Sequence, residues 1–320
     1  MRTTDRNGLK MPDGDDIDFP GAMEDNTEII DDAISKCNFY ASSDPLVTDD
    51  STKGYSVGSI WVNGTSKIFQ CVSPTANNAI WKQIFPSLGW IPAGETWTYS
   101  GADDPTFTFT IPGDKTTKYY AGMKIKLTQT TVKYFIITKV AYSDPNTTVT
   151  VYGGTDYDLA NAAITDPYYS MIRGPAGFPM DPAKWTVKLV DNSLKDQANP
   201  ASSTWYNVGG LSLTIPIGVW RVYYFSASRV GPFGSACQIA LSTTLSTANN
   251  SESDEEFTVM GYINPATAIA MPATKEKVLN LASKTTYYLN LKYSSDSVPG
   301  HLYINGDFGT TIIFAVCAYL

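Results

Sequence analysis

Catalysis needs a proton carrier, an activated nucleophile or a pair of carboxylates, and this chain supplies few of them. His301 is the only histidine in 320 residues, so any Ser-His-Asp or Cys-His arrangement would have to pass through it. It follows Pro299-Gly300 in what reads as a loop tip, where a solvent-facing or ligand-contacting imidazole is the ordinary case. Carboxylates do come in groups: Asp103 with Asp104, Asp254 with Glu255 and Glu256, and Asp296 with Asp307. A glycosidase needs only two carboxylates at the right separation, so glycan cleavage stays open as a reading. Two features weigh against it. The acids lie in short Ser/Thr-rich turns, and no repeat of roughly 20 to 50 residues announces a solenoid.

Metal and cofactor chemistry finds no foothold. Asp13, Asp15, Asp16 and Asp18 lack the closing glutamate and the spacing of an EF-hand loop. Cys37, Cys71, Cys237 and Cys317 are scattered without a C-x-x-C pair. The last three sit in apolar, strand-like runs where cysteine behaves as a small buried hydrophobe, with a Cys237–Cys317 bridge as the lesser alternative. The glycines of YGGTDY and RGPAGF lie in turns that no Lys-Ser/Thr helix follows, which excludes a phosphate-cradling loop. The expected numbers of catalytic, cofactor and metal residues are therefore all none, and the chain reads as a non-enzymatic binding protein. Loops on a rigid β-scaffold are where binding resides, and aromatics beside Asp, Asn or His can stack on sugar rings and bond their hydroxyls. Two loops fit: 229–235, with Arg229 and Phe233, and 294–307, with Asp296, His301, Tyr303 and Asn305.

Composition decides what must carry those loops. A net charge of −8 with no Lys/Arg cluster disfavours nucleic acid. No run approaches the ~18 apolar residues of a membrane-spanning helix, and the polar start MRTTDRNGLKM lacks the apolar heart of a signal peptide, so the expectation is a protein made and kept without membrane insertion. An aromatic content of 12% against a charged fraction of 17% argues for ordered, all-β structure with a Thr/Ser/Tyr surface. The length asks for more than one core.

The chain divides accordingly. Residues 1–22 read as an extended attachment arm. Within 23–40, Glu24 to Phe39 reads as a short helix with Ile29, Ile30, Ala33, Ile34 and Cys37 on one face, too narrow a stripe to stand alone and suited to packing against copies of itself. Residues 41–53 read as a linker and 54–85 as a small β-hairpin module. The stretch 86–179 reads as a small β-barrel or sandwich, with one possible helical turn at Asp158 to Ile164. Residues 180–320 read as a C-terminal antiparallel jelly-roll sandwich. Its last run, Thr310 to Leu320, is uncharged and apolar or β-branched throughout, and must be covered by the sandwich core or by neighbouring subunits.

Gly54, Tyr55, Val57, Gly58, Ser59, Trp61 and Asn63, then Phe69 and Cys71, then Ala79, Trp81 and Lys82 form a pattern that resembles a module of tail fibres and baseplate appendages of tailed bacteriophages. The phrases GWIPAGETWTYSGADDPTFTFTI, GMKIKLTQTTVKYFIITKV and GFPMDPAKWTV resemble a β-barrel spacer of phage tail proteins. The order of strands in the last domain is similar to the jelly-roll head of C1q and tumour-necrosis-factor type trimers. The resemblance implies a virion protein, homotrimeric, attached to the baseplate or tail through its N-terminal arm, whose distal head binds a bacterial surface glycan or protein. The alternatives are a glycan-cleaving, tailspike-like enzyme and a purely structural spacer or capsid fibre.

Overall fold

The computed structural model describes residues 2–3, 10–11, 36–63, 67–84, 89–232, 238–263, 269–297, 299–306 and 309–320. The chain divides into two compact units, Met1–Leu88 and Gly89–Leu320.

In the first unit β1 (Arg2–Thr3) and β2 (Lys10–Met11) pair antiparallel. A separate four-stranded sheet takes β3 (Asn38–Ala41), β4 (Ile60–Asn63), β5 (Ile68–Ser73) and β6 (Ile80–Gln83) in that order, with β3 parallel to β4. Residues 24–35 of the expected helix lie outside the described residues. Its expected last residues, Asn38 and Phe39, are strand instead, because β3 pairs with β4, Asn38 opposite Trp61 and Ala41 opposite Asn63. Four aromatics supply most of the apolar mass of this small core, Tyr55, Trp61 and Trp81 with Phe69 packed against them. Tyr55 stands edge-on to Trp81 at 5.2 Å, and Trp61 lies 5.7 Å from both. Such contacts add to area burial, which a core this small needs.

The segment 41–53 is held to this core rather than trailing from it. Each indole N–H donates to one of its carbonyls, Trp61 to Ser43 and Trp81 to Asp49, both at 2.9 Å. Asp50 is buried and accepts from the Thr52 hydroxyl, the Asn77 N–H and the Thr52 N–H, at 2.6, 2.6 and 2.8 Å. These bonds hold its carboxyl below the ordinary Asp range.

The second unit begins with seven antiparallel strands: β7 (Ile91–Pro92), β8 (Thr98–Asp103), β9 (Thr106–Pro112), β10 (Lys124–Gln129), β11 (Thr131–Ser143), β12 (Asn146–Tyr152) and β13 (Thr165–Ser170). Their order is β7-β13-β10-β11-β12-β9-β8, an open sheet and not a closed barrel. Alternation places its core: in TFTFTI, Phe107, Phe109 and Ile111 point inward, to meet Ile125, Leu127, Val149 and Val151. Trp97 stacks on Phe109 at 4.5 Å. Tyr119 donates to Glu95 at 3.0 Å, and burial together with that carboxylate pushes its phenol far above its usual range. Asp158 to Ile164 forms no helical turn. The Gln129 amide takes the Ala160 N–H and donates to the Ala160 and Ala162 carbonyls, satisfying that backbone without a helix.

Ten further strands build a sandwich: β14 (Thr186–Asp191), β15 (Lys195–Ala198), β16 (Ser212–Ile215), β17 (Gly218–Gly231), β18 (Ile239–Ser246), β19 (Thr258–Ile263), β20 (Ile269–Leu281), β21 (Thr285–Ser294), β22 (His301–Ile304) and β23 (Thr311–Cys317). One sheet runs β14-β23-β17-β22-β15, with β20 along the other edge of β17; the second runs β16-β21-β18-β19. The long β17 sets the pattern, sending Trp220, Val222 and Tyr224 into the core and Arg221, Tyr223 and Phe225 outward. Facing them are Leu289, Leu291 and Tyr293 of β21 and Leu241 and Leu245 of β18. Full burial of side chains like these contributes about 1.5–3 kcal/mol each.

This core continues past residue 180 toward the N-terminus. Tyr152 packs edge-on against Trp220 at 5.1 Å, and Phe178 stacks on Trp185 at the same distance. The apolar run at 311–317 lies between β14 and β17, with Ile313, Ala315 and Cys317 buried. Cys317 is a free thiol whose pKa burial raises to about 11; Cys237 lies outside the described residues.

Candidate functional site

Three of the residues singled out in the sequence converge on one patch. Register places Asp196 of β15 opposite Tyr303 of β22, and Tyr303 opposite Arg229 of β17, so all three share the outer face of the sheet. His301, two residues before Tyr303, shares that face. The Arg229 guanidinium sits 4.7 Å from the centre of the Tyr303 ring, and the His301 imidazole stacks on that ring with centroids 5.1 Å apart. His301 Nδ1 lies 2.9 Å from both oxygens of Asp196. The carboxylate therefore fixes the ring's orientation and its Nδ1 proton. Among the described residues no Ser, Thr or Cys side chain hydrogen-bonds His301.

Asn305 does not belong to this surface. It is fully buried with φ of 65°, its amide donates to Asp191 at 3.0 Å, and its oxygen accepts from the Thr311 hydroxyl. It closes the turn between β22 and β23, a task for which asparagine's tolerance of the left-handed region suits it. Phe233 lies outside the described residues.

Asp296 stands in a neighbouring groove of about 430 Å³ at one end of the second sheet. Ala240 of β18 is in register with Tyr262 of β19 on one side and Ser294 of β21 on the other. A small residue is thus the floor between a tyrosine wall and a hydroxyl. Tyr262 is 74% exposed, so the ring is available to a ligand and costs nothing to uncover. Ser202, Ser203 and Gln238 complete the polar rim with Asp296. The rim is pre-ordered: the Ser202 hydroxyl donates to the Ser295 carbonyl at 2.9 Å, and the Ser203 and Ser294 hydroxyls lie 3.2 Å apart.

The segment 198–204 joins groove and patch. Ala198 pairs with His301, the Asn199 N–H donates to Gly300, and the Tyr293 hydroxyl donates to Pro200 O. An apolar ring face beside a carboxylate, an amide and hydroxyls is the equipment for holding a pyranose by its C–H face and its hydroxyls. Among the described residues no cluster of three His, Cys, Asp or Glu side chains could hold a metal ion.

Sequence reasoning missed Asp196, Tyr262 and the serine rim. Asp196 is 105 residues from its histidine. Tyr262 stands in a run that reads simply as a strand, and only the register of β19 on β18 makes it a wall.

No protein-family model matches the chain, and no curated protein matches it. Among solved structures it overlaps the infectious bursal disease virus particle, with 10% identity over 80% of this chain and 65% of that one, at a TM-score of 0.23. It also overlaps a mutant VP2 protein of infectious bursal disease virus, at 11% identity over 85% and 68% with a TM-score of 0.22. Dimeric latent PorU from Porphyromonas gingivalis gives 9% identity over 71% of this chain and 24% of that one, at 0.21. Overlaps this slight establish neither a shared fold nor a role.

Proposed function

We propose that the chain is an attachment protein of a tailed-phage virion that binds a bacterial surface glycan without cleaving it. The observation that carries this is the exposed Tyr262 facing Ser294 and Asp296 across the Ala240 floor, with Gln238 and the serines around it. The likeness of Gly54 to Ile84 to phage tail-fibre modules supplies the setting, a virion appendage joined to tail or baseplate through its N-terminal residues.

Self-association as a trimer belongs to the same reading. The outer face of the first sheet carries Phe314 against Tyr223 at 5.0 Å, with Ile312, Phe225 and Val316 around them, all only partly buried. Val190 and Val278 on the flanking strands are exposed. An apolar face of this kind is covered in an assembly.

Incubating the intact chain with host surface polysaccharide, washing and quantifying retention tests the proposal, with Tyr262→Ala expected to abolish retention at micromolar glycan. Retention unchanged by that substitution removes the groove from the proposal. Sustained release of reducing ends would favour the cleaving enzyme, and no retention at all the spacer.

A further inference from the structure

A second cavity in the Gly89–Leu320 unit, about 500 Å³, differs from the groove in its charge. Its wall is made by Lys124 and Ser170, which are register partners on β10 and β13, by Arg173 just beyond β13, and by the rings of Tyr120 and Tyr319. Met171 and Ile172, both exposed, form an apolar lip. Two cations line this cavity and no Asp or Glu does, in a chain whose net charge is −8; Leu320, the last residue, is also part of the lining.

The cations are incompletely satisfied. Lys124 is 4% exposed, and its ammonium donates to the carbonyls of Gly122, at 3.1 Å, and Tyr319. An ammonium has three N–H donors, and two are spent on neutral oxygens. Burial, and the neighbouring Arg173 guanidinium, hold its pKa below the usual lysine value. Arg173 is exposed and makes no ion pair among the described residues. The Ser170 hydroxyl accepts from the Ile172 N–H at 3.2 Å and keeps its own proton to give.

The aromatic wall is built in. At Gly122 φ is 95°, and a Cβ there would meet the Tyr319 ring at 3.1 Å, so the glycine is what lets that ring lie against the backbone.

We infer that this cavity binds the carboxylate of an acidic saccharide, with the Arg173 fork on the two oxygens, Lys124 behind it, and the sugar ring against Tyr120 and Tyr319. Planar bidentate pairing is what a guanidinium offers a carboxylate. A volume of about 500 Å³ falls within the roughly 300–1,000 Å³ of small-ligand clefts. A bare inorganic anion would satisfy the cations and leave both rings and the lip uncovered, which is the argument for a sugar. The site is distinct from the Tyr262 groove and would give the protein a charge-selective contact beside a neutral one.

Calorimetric titration of the intact chain with trigalacturonate, with its fully methyl-esterified form, and with inorganic phosphate tests this. Trigalacturonate is expected to bind, the ester at least about tenfold more weakly, and phosphate to compete. Arg173→Ala should weaken trigalacturonate about tenfold or more while leaving the thermal midpoint unchanged. Arg173→Lys should fall between, and Tyr262→Ala should have no effect. Absence of trigalacturonate binding at millimolar concentration, equal affinity for the ester, phosphate binding without the sugar, or undiminished affinity in Arg173→Ala would each overturn the inference.

Discussion

Lys184 and Lys124 are buried almost equally, 7% and 4% exposed, and their surroundings divide the second unit into a finished region and an unfinished one. Around Lys184 an anion is in place. Its ammonium donates to Gly153 O and Asp156 Oδ2, both at 3.0 Å, and stands over the rings of Tyr157 and Trp185 at 3.9 and 5.0 Å. Around Lys124 the hydrogen-bond partners are carbonyls, and the Arg173 guanidinium is close enough to oppose its charge. Removing one partner of a buried ion pair leaves the other charge uncompensated, whereas a buried cation held by carbonyls alone has no anion to lose.

The sharpest way to break this comparison is at the glycines beside the two lysines. A Cβ on Gly153 would lie 2.1 Å from the Tyr157 carbonyl, which is backbone and cannot step aside. Gly153→Ala should cost about 3 kcal/mol or more in denaturant unfolding. Gly122→Ala meets only a ring edge, with backbone strain added, and should cost about 1–2 kcal/mol while lowering trigalacturonate affinity, because Tyr319 must tilt. Equal costs at the two glycines would end the distinction.

Next in size is removal of the lysines themselves. Lys184→Met should destabilise by about 1–3 kcal/mol, since Gly153 O loses its donor. Lys124→Met should stay within about 1 kcal/mol of the native chain, because relief from desolvation offsets the lost carbonyl bonds. The pH dependence separates them further. A lysine whose folded pKa is lowered leaves the unfolded chain binding more protons between that value and ~10.4, so its contribution to stability rises with pH across the window. Native minus Lys124→Met stability should therefore increase from neutral pH toward pH ~10. Asp156 has the opposite sense. Its bond to the Lys184 ammonium, and then that to Thr155, lower its folded pKa; the stability this lends is present above pH ~4 and lost as pH falls through the folded value, and an Asp156→Asn chain should lack that acid-side loss. The smallest effect belongs to Tyr262→Ala, expected within about 0.5 kcal/mol by thermal melting, because an exposed ring contributes little to the fold.

The β-character was legible in the alternation of TFTFTI and in the in-out pattern of β17, because period-two patterning is set locally by the pleat. What lies between strands was not. Arg229, His301 and Tyr303 come from stretches that read as loops, with His301 at a loop tip, yet they stand in strands β17 and β22, because those strands pair edge to edge there; Asp196 enters only through the pairing of β15 with β22. Asn305 looked like a loop residue open to ligands, and tertiary hydrogen bonds bury it instead. Lys124 and Arg173 carry no mutual signal in the sequence; the register of β10 on β13 brings them to one wall. Asn38 and Phe39 close the helix that the sequence suggests, and parallel pairing with β4 makes them strand instead.

The place of β23 bears on how the sandwich comes into being. It occupies the middle of its sheet, yet it follows in the chain every strand it joins, β14 and β17 among them. During synthesis those neighbours emerge with a vacant slot between them, and the slot fills only when residues 311–317 arrive. Closure across so long a stretch of chain is slow, and meanwhile the open edges of β14 and β17 are available to a second nascent copy. The order of strands thus makes the interval before β23 docks the moment at which chains can either exchange strands or complete themselves.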